Sequence, residues 1–170
     1  MAENETDGVA GAGAAGAATA AVQPQVKLLA HFVRDLSFEN VGALEGTPAE
    51  GQPDINVSVN LEANSIGENR YQSVMKINAT AKSPTNTRFV VELDYCGVFS
   101  LENIQQEHVH PFVFIECPRQ LLPFARRVVA DATRDGGYPP LMLDNVDFAT
   151  LYRQRVEQLR AQQGDGNASV

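Results

Sequence analysis

Two cysteines, Cys96 and Cys117, in 170 residues are too few for a disulfide framework, so reduced thiols in the cytoplasm are the expectation. No run approaches the roughly 20 apolar residues of a membrane span, which argues against direct membrane insertion. A secretory signal is missing as well. Through Val22 the only charges are the acids Glu3, Glu5 and Asp7, and glycines interrupt every apolar stretch. A phosphate-cradling loop is absent, because "GAGAAGAA" has neither a strand before it nor a packed helix after it. Basic residues are scarce: 13 against 21 acids give a formal charge of −8, which repels nucleic acid and anionic lipid alike.

The charge is unevenly placed. Between Asp35 and Glu116 the basic residues are only Arg70, Lys76, Lys82 and Arg88, set among 12 acids, whereas the chain from Cys117 onward is nearly balanced. Complementary fields steer association, so an acidic first half suggests a basic protein partner. The length fits one domain, expected over residues 23–162. An Ala/Gly-rich segment 1–22 too poor in large side chains to fold precedes it, and a flexible tail 163–170 follows.

Period-two alternation marks the strands. In "QVKLLAHFVRDLSFE" Val26, Leu28, Ala30, Phe32, Leu36 and Phe38 share a parity, while Leu29, Val33 and Arg34 break the pattern and predict a bulge or a second covered face. "INVSVNLEA", "RYQSVMKINATAK" and "RFVVELDYCGVFSL" alternate with short joins, as in an antiparallel meander. Afterwards the spacing turns helical: Leu121, Leu122, Phe124, Ala125, Val128, Val129 and Ala132 form a stripe ending at Gly136–Gly137. Pro123 either lies in the first turn or bends the helix. Asp147 is placed to cap a last helix running to about residue 162. Strands followed by helices predict an α+β fold, a four-stranded antiparallel meander sheet with the long and the C-terminal helix on one face. A sheet with one bare, partly apolar face invites self-association.

Nothing in the chain assembles an active site. His108 and His110 with Cys117 lack the four-ligand spacing of structural zinc. Neither cysteine sits in a catalytic context, and Glu92 with Asp94 reads as an acidic pair on a wet strand face. No enzyme activity, metal or cofactor is expected.

Three stretches carry identity: "HFVRDLSFEN", "FVVELDYCGVFSLEN" and "ECPRQLLPFARRVVADATRDGGYPPLMLDNVDFATLYRQR". Together they resemble SecB, the export chaperone of Gram-negative bacteria. That resemblance implies a SecB-like fold in a cytoplasmic homotetramer, a dimer of dimers. The assembly would hold unfolded precursor proteins and deliver them to the SecA ATPase. It further implies a docking surface for the basic, zinc-containing C-terminal segment of SecA at Asp35, Glu39, Val90 and Glu92. The client groove would use Ile55, Val57 and Val59, with Leu121 and Phe124 as walls, and Val91, Leu93 and Tyr95 would lie at the tetramer interface. An alternative is a SecB-like interaction module serving another system, such as an antitoxin-associated chaperone. Retention of the acids at positions 35, 39 and 92 favours export.

Overall fold

The structure, a computed structural model, describes residues 23–45 and 51–165. The N-terminal segment 1–22, residues 46–50 and residues 166–170 lie outside the described residues, and with them the expectations made for those segments; residues 163–165, expected to open the C-terminal tail, continue the last helix. The elements are β1 (Gln25–Glu39), α1 (Val41–Glu45), β2 (Asp54–Gly67), β3 (Arg70–Lys82), β4 (Thr87–Glu102), α2 (Gln106–Pro111), a π turn (Phe112–Glu116), α3 (Cys117–Asp135) and α4 (Phe148–Asp165). The four strands form one antiparallel sheet in the order β1-β4-β3-β2. The meander expected of all four strands holds for β2–β4 only: β1 pairs with β4 rather than with β2, which closes a Greek key. This puts β1 and β2 at opposite edges.

β1 contains two irregularities, between Leu28 and Ala30 and between Val33 and Asp35. Each extra residue inverts the parity that follows. Val26 and Leu28 oppose Leu101 and Phe99, then His31 and Val33 oppose Gly97 and Tyr95, and Leu36 and Phe38 oppose Leu93 and Val91. All of these share the helix-side face. Ala30 and Phe32, which simple alternation assigns to the core, instead oppose Val98 and Cys96 on the outer face. The mixed pattern in the sequence thus records a doubly bulged strand.

The core lies between the sheet and α3. Met75, Ile77, Ala79, Val91, Leu93, Tyr95 and Phe99 are buried against Leu121, Ala125 and Val129. Close approach requires Gly97 on β4, where a Cβ would sit 2.6 Å from a Leu121 methyl. Helical structure begins at Gln106, earlier than the apolar stripe shows. Pro111 and Pro118 each withhold a helical donor, and the π turn between them resets the 3.6-residue period, so 106–116 carries no clean helical signature. Pro123 is accommodated inside α3.

The α3 terminus explains "GGYPP". The Tyr138 amide donates to Thr133 O (3.1 Å) and the Gly137 amide to Arg134 O (2.9 Å), the paired bonds of a Schellman cap. Gly137 takes φ +85°, as that cap requires. Leu141 N then donates to the Thr133 hydroxyl at 2.9 Å, so the crossover is bound directly to the helix end. The Tyr138 hydroxyl donates to Asn40 Oδ1 (2.9 Å), and Asn40 Nδ2 donates to Gly136 O (2.8 Å), tying the end of β1 to the same corner. Asp147 caps α4: its carboxylate accepts from the Thr150 amide at 3.0 Å and from the Thr150 hydroxyl at 2.7 Å. No atom lies within 4 Å of a Cβ built on Gly137, so any cost of substitution there is backbone strain alone. Gly137→Val is expected to lower stability by about 1–2 kcal/mol, measured by denaturant unfolding.

Candidate functional site

The outer face of the sheet carries the first candidate surface. Cross-strand pairing sets Asp35 opposite Asp94, Ser37 opposite Glu92 and Glu39 opposite Val90, so Asp35, Glu39, Val90 and Glu92 share one face, away from α3. Asp35 and Asp94 are like charges directly opposed, a destabilising arrangement. Arg34, displaced by the second bulge, relieves it by donating to Asp94 at 2.7 Å. That bond holds the Arg34 guanidinium above its ordinary pKa. Lys76 neutralises Glu62 at 2.9 Å. Glu92 accepts only from neutral Asn78, at 2.8 Å. Among the described residues Asp35, Glu39 and Glu92 have no ion-pair partner, so the β1–β4 part of this face carries three uncompensated carboxylates.

The second surface runs along the free edge of β2. Ile55 and Val57 are 42% and 41% exposed, and Val59 is half-buried. The wall beside Val59 and Leu61 comes from the π turn and α4: Phe114, Leu151, Tyr152 and Arg155 line a depression there. The His110 ring packs 4.7 Å from that of Phe114 and 5.4 Å from that of Tyr152, with Nδ1 3.0 Å from the Tyr152 hydroxyl. Burial, and then the neighbouring Arg155, push His110 below the usual imidazole value. Arg155 stacks on Phe114 at 4.8 Å and donates to Leu61 O at 2.8 Å.

Leu121 and Phe124, expected as groove walls, do not reach this edge within the chain. Leu121 is fully buried over Gly97, and Phe124 stacks on His31 of β1 at 4.2 Å, at the opposite edge of the sheet. Val91, Leu93 and Tyr95, expected between subunits, are 0%, 1% and 3% exposed and belong to the intrachain core beneath α3. Phe114, Tyr152 and Arg155 escaped the sequence reading because the π turn hides the orientation of Phe114, and α4 shows little amphipathic contrast beyond its first turns.

Both thiols are shielded from solvent. Cys96 and Cys117 are both buried and free. Burial first, then nearby Glu116, pushes the Cys117 thiol up to about 12, far from a reactive thiolate. Burial also raises Cys96. Among the described residues no group of three or more His, Cys, Asp or Glu is arranged to hold a metal, and no helix is long and apolar enough to cross a membrane. Native chain treated with iodoacetamide near neutral pH is expected to remain unlabelled at both cysteines by mass spectrometry, and to label at both after denaturation.

Known proteins bear on these surfaces. The sequence model of the family described as "Preprotein translocase subunit SecB" matches residues 19–159. The chain is 51% identical over 150 residues to "Protein-export protein SecB" of Ruegeria pomeroyi, covering 85% of this chain and 91% of the relative. It is 50% identical over 136 residues to the protein of the same name from Roseobacter denitrificans, covering 78% and 82%. Among solved structures, the fold resembles that of a SecB-like chaperone of Mycobacterium tuberculosis in complex with a peptide from an antitoxin. The TM-score is 0.58 at 12% identity, over 71% of this chain and 90% of that one. With the family match spanning nearly the whole folded region, the chain belongs to the SecB family of protein-export chaperones.

Proposed function

We propose that the chain keeps precursor proteins unfolded in the cytoplasm and hands them to the SecA ATPase, docking the basic, zinc-containing C-terminal segment of SecA on its acidic sheet face. The observation carrying this reading is the grouping of Asp35, Glu39 and Glu92, uncompensated, on one exposed face around Val90. Exposed carboxylates of this kind contribute mainly to association rate and partner choice, and their effect is screened by salt. Val90, half-buried opposite Glu39, offers an apolar contact at one end of the row of charges. An antitoxin-associated role is not favoured: the half-identical relatives are named for protein export, and the antitoxin-bound neighbour supports only the fold.

Clients would lie along the helix-side face of β2, where Ile55, Val57 and Val59 supply apolar contact that does not depend on a particular client sequence. Phe114, Leu151 and Tyr152 take the wall role that the resemblance assigned to α3.

A homotetramer, a dimer of dimers, would use the opposite edge. Val33 and Leu36 on β1 are 41% and 43% exposed, and Phe124 on α3 is 36% exposed. Together they form an apolar strip that self-association would cover. Val91, Leu93 and Tyr95 would support this interface from beneath α3.

Two sets of variants test these assignments. Calorimetric titration with the C-terminal SecA segment, its zinc bound, should give saturable binding that falls roughly tenfold when Asp35→Ala and Glu92→Lys are combined, without change of oligomeric state. Unchanged affinity would remove the acidic face from the docking site. In sedimentation, Leu36→Glu is expected to yield folded smaller species, whereas Leu93→Glu should unfold the chain. A tetramer surviving Leu36→Glu would exclude β1 from the interface.

A further inference from the structure

The Arg155 contact has a position that the helix–sheet packing alone does not require. Two depressions lie along β2. Val59, Asn60 and Gln158 help to line one, Ala63, Asn64 and Val109 the other, and Phe114 and Arg155 line both. The bond from Arg155 to Leu61 O is the partition between them.

That carbonyl is informative. β2 is an edge strand paired on one side only, with β3. Its Leu61 carbonyl accepts from a guanidinium on α4 and therefore points to the unpaired side. In an antiparallel strand the N–H and C=O of one residue point the same way, and alternate residues repeat the direction. Val59 and Ala63 thus present their backbone groups to the same free edge. Arg155 occupies the middle acceptor of three successive outward residues. Its planar guanidinium is held by Phe114, which the π turn brings over β2.

We infer that Arg155 is a gate in the client groove: its guanidinium takes the place of the backbone N–H of an incoming extended polypeptide, and its displacement joins the two depressions into one channel in which the client pairs with Val59, Leu61 and Ala63. The inference rests on the chaperone reading and adds to it a binding mode and a specificity residue. With the gate closed, Ile55 and Val57 remain available for side-chain contact, while main-chain pairing at Leu61 is refused. Only a segment able to offer a backbone donor there replaces the bond that Arg155 loses. Proline or an N-methylated residue cannot do so, which makes the gate a filter for extended, unfolded backbone.

Fluorescence anisotropy on the full chain tests this with a labelled peptide of alternating valine and serine and a twin methylated at alternate backbone nitrogens. Arg155→Met keeps an apolar stem against Phe114 and removes the donor. It is expected to bind the first peptide roughly two- to tenfold tighter, the size of one net hydrogen bond, and to show no gain for the twin. A gain shared by both peptides, or unchanged or weaker binding by a variant that melts like the parent chain, would overturn the gate. A second measurement needs no variant: hydrogen exchange of the parent chain should show the Val59, Leu61 and Ala63 amides slowed by the first peptide and not by the twin. Protection by neither peptide would overturn the gate. A parent chain that also fails to hold a denatured precursor unfolded would remove the chaperone reading together with it, whereas intact holding with unprotected amides would remove the gate alone.

Discussion

The seating of one long helix on the central strand is the contact on which the rest of the structure depends. Gly97 removes the side chain that would keep α3 away, and Leu121 fills the space. A four-stranded sheet is roughly 19 Å across, and a helix with its side chains covers only about 10–12 Å. One helix over β4 therefore leaves both edges of the sheet short of cover. Val33 and Leu36 at one edge and Ile55 and Val57 at the other stay exposed for this geometric reason. The candidate surfaces follow from that mismatch in width: an apolar strip beside β1, a groove beside β2, and an outer face that no helix covers among the described residues.

The bulges in β1 prepare that outer face. Without them, Arg34 would continue the alternation and could not reach across to Asp94. With them, one acid of an opposed pair is neutralised and its neighbour Asp35 is left free. Arg34 compensates Asp94 on β4 and Lys76 compensates Glu62 on β2, and Asp35, Glu39 and Glu92 are left without an ion-pair partner among the described residues. Three of the chain's 21 acids are thereby left unpaired on one face, where a field of one sign favours a basic partner. The opposite end of the helical layer works by a different device. There the π turn rotates Phe114 toward β2, and α4 docks through stacked rings and a single cation rather than through a broad apolar stripe.

The alternation of β2, β3 and β4 and the helical stripe of α3 were plain in the chain, because each obeys one period over many residues. The acids on one strand face were equally plain, since parity decides the face wherever a strand is regular. Gly137 and Asp147 announced their roles through local backbone chemistry, a left-handed C-cap and a carboxylate at a helix start. Residues 106–116 were not legible, because prolines at 111 and 118 and the intervening π turn erase the period that identifies a helix. Leu121 and Phe124 looked equivalent on a helical wheel. One nevertheless closes over Gly97 while the other stacks on His31 at the far edge from β2.

The sequence by itself determined the fold class, the family and which strand parity each acid follows, since these depend on short-range periodicity and on local strings of residues. Only the tertiary structure decided that β1 pairs with β4, that α3 covers the centre of the sheet, and that Phe114, Tyr152 and Arg155 form the wall at β2. The reason is physical. Strand order and helix placement are set by contacts between residues far apart in the chain: Arg155 reaches a carbonyl 94 positions earlier, and no local pattern records which distant group a side chain will meet.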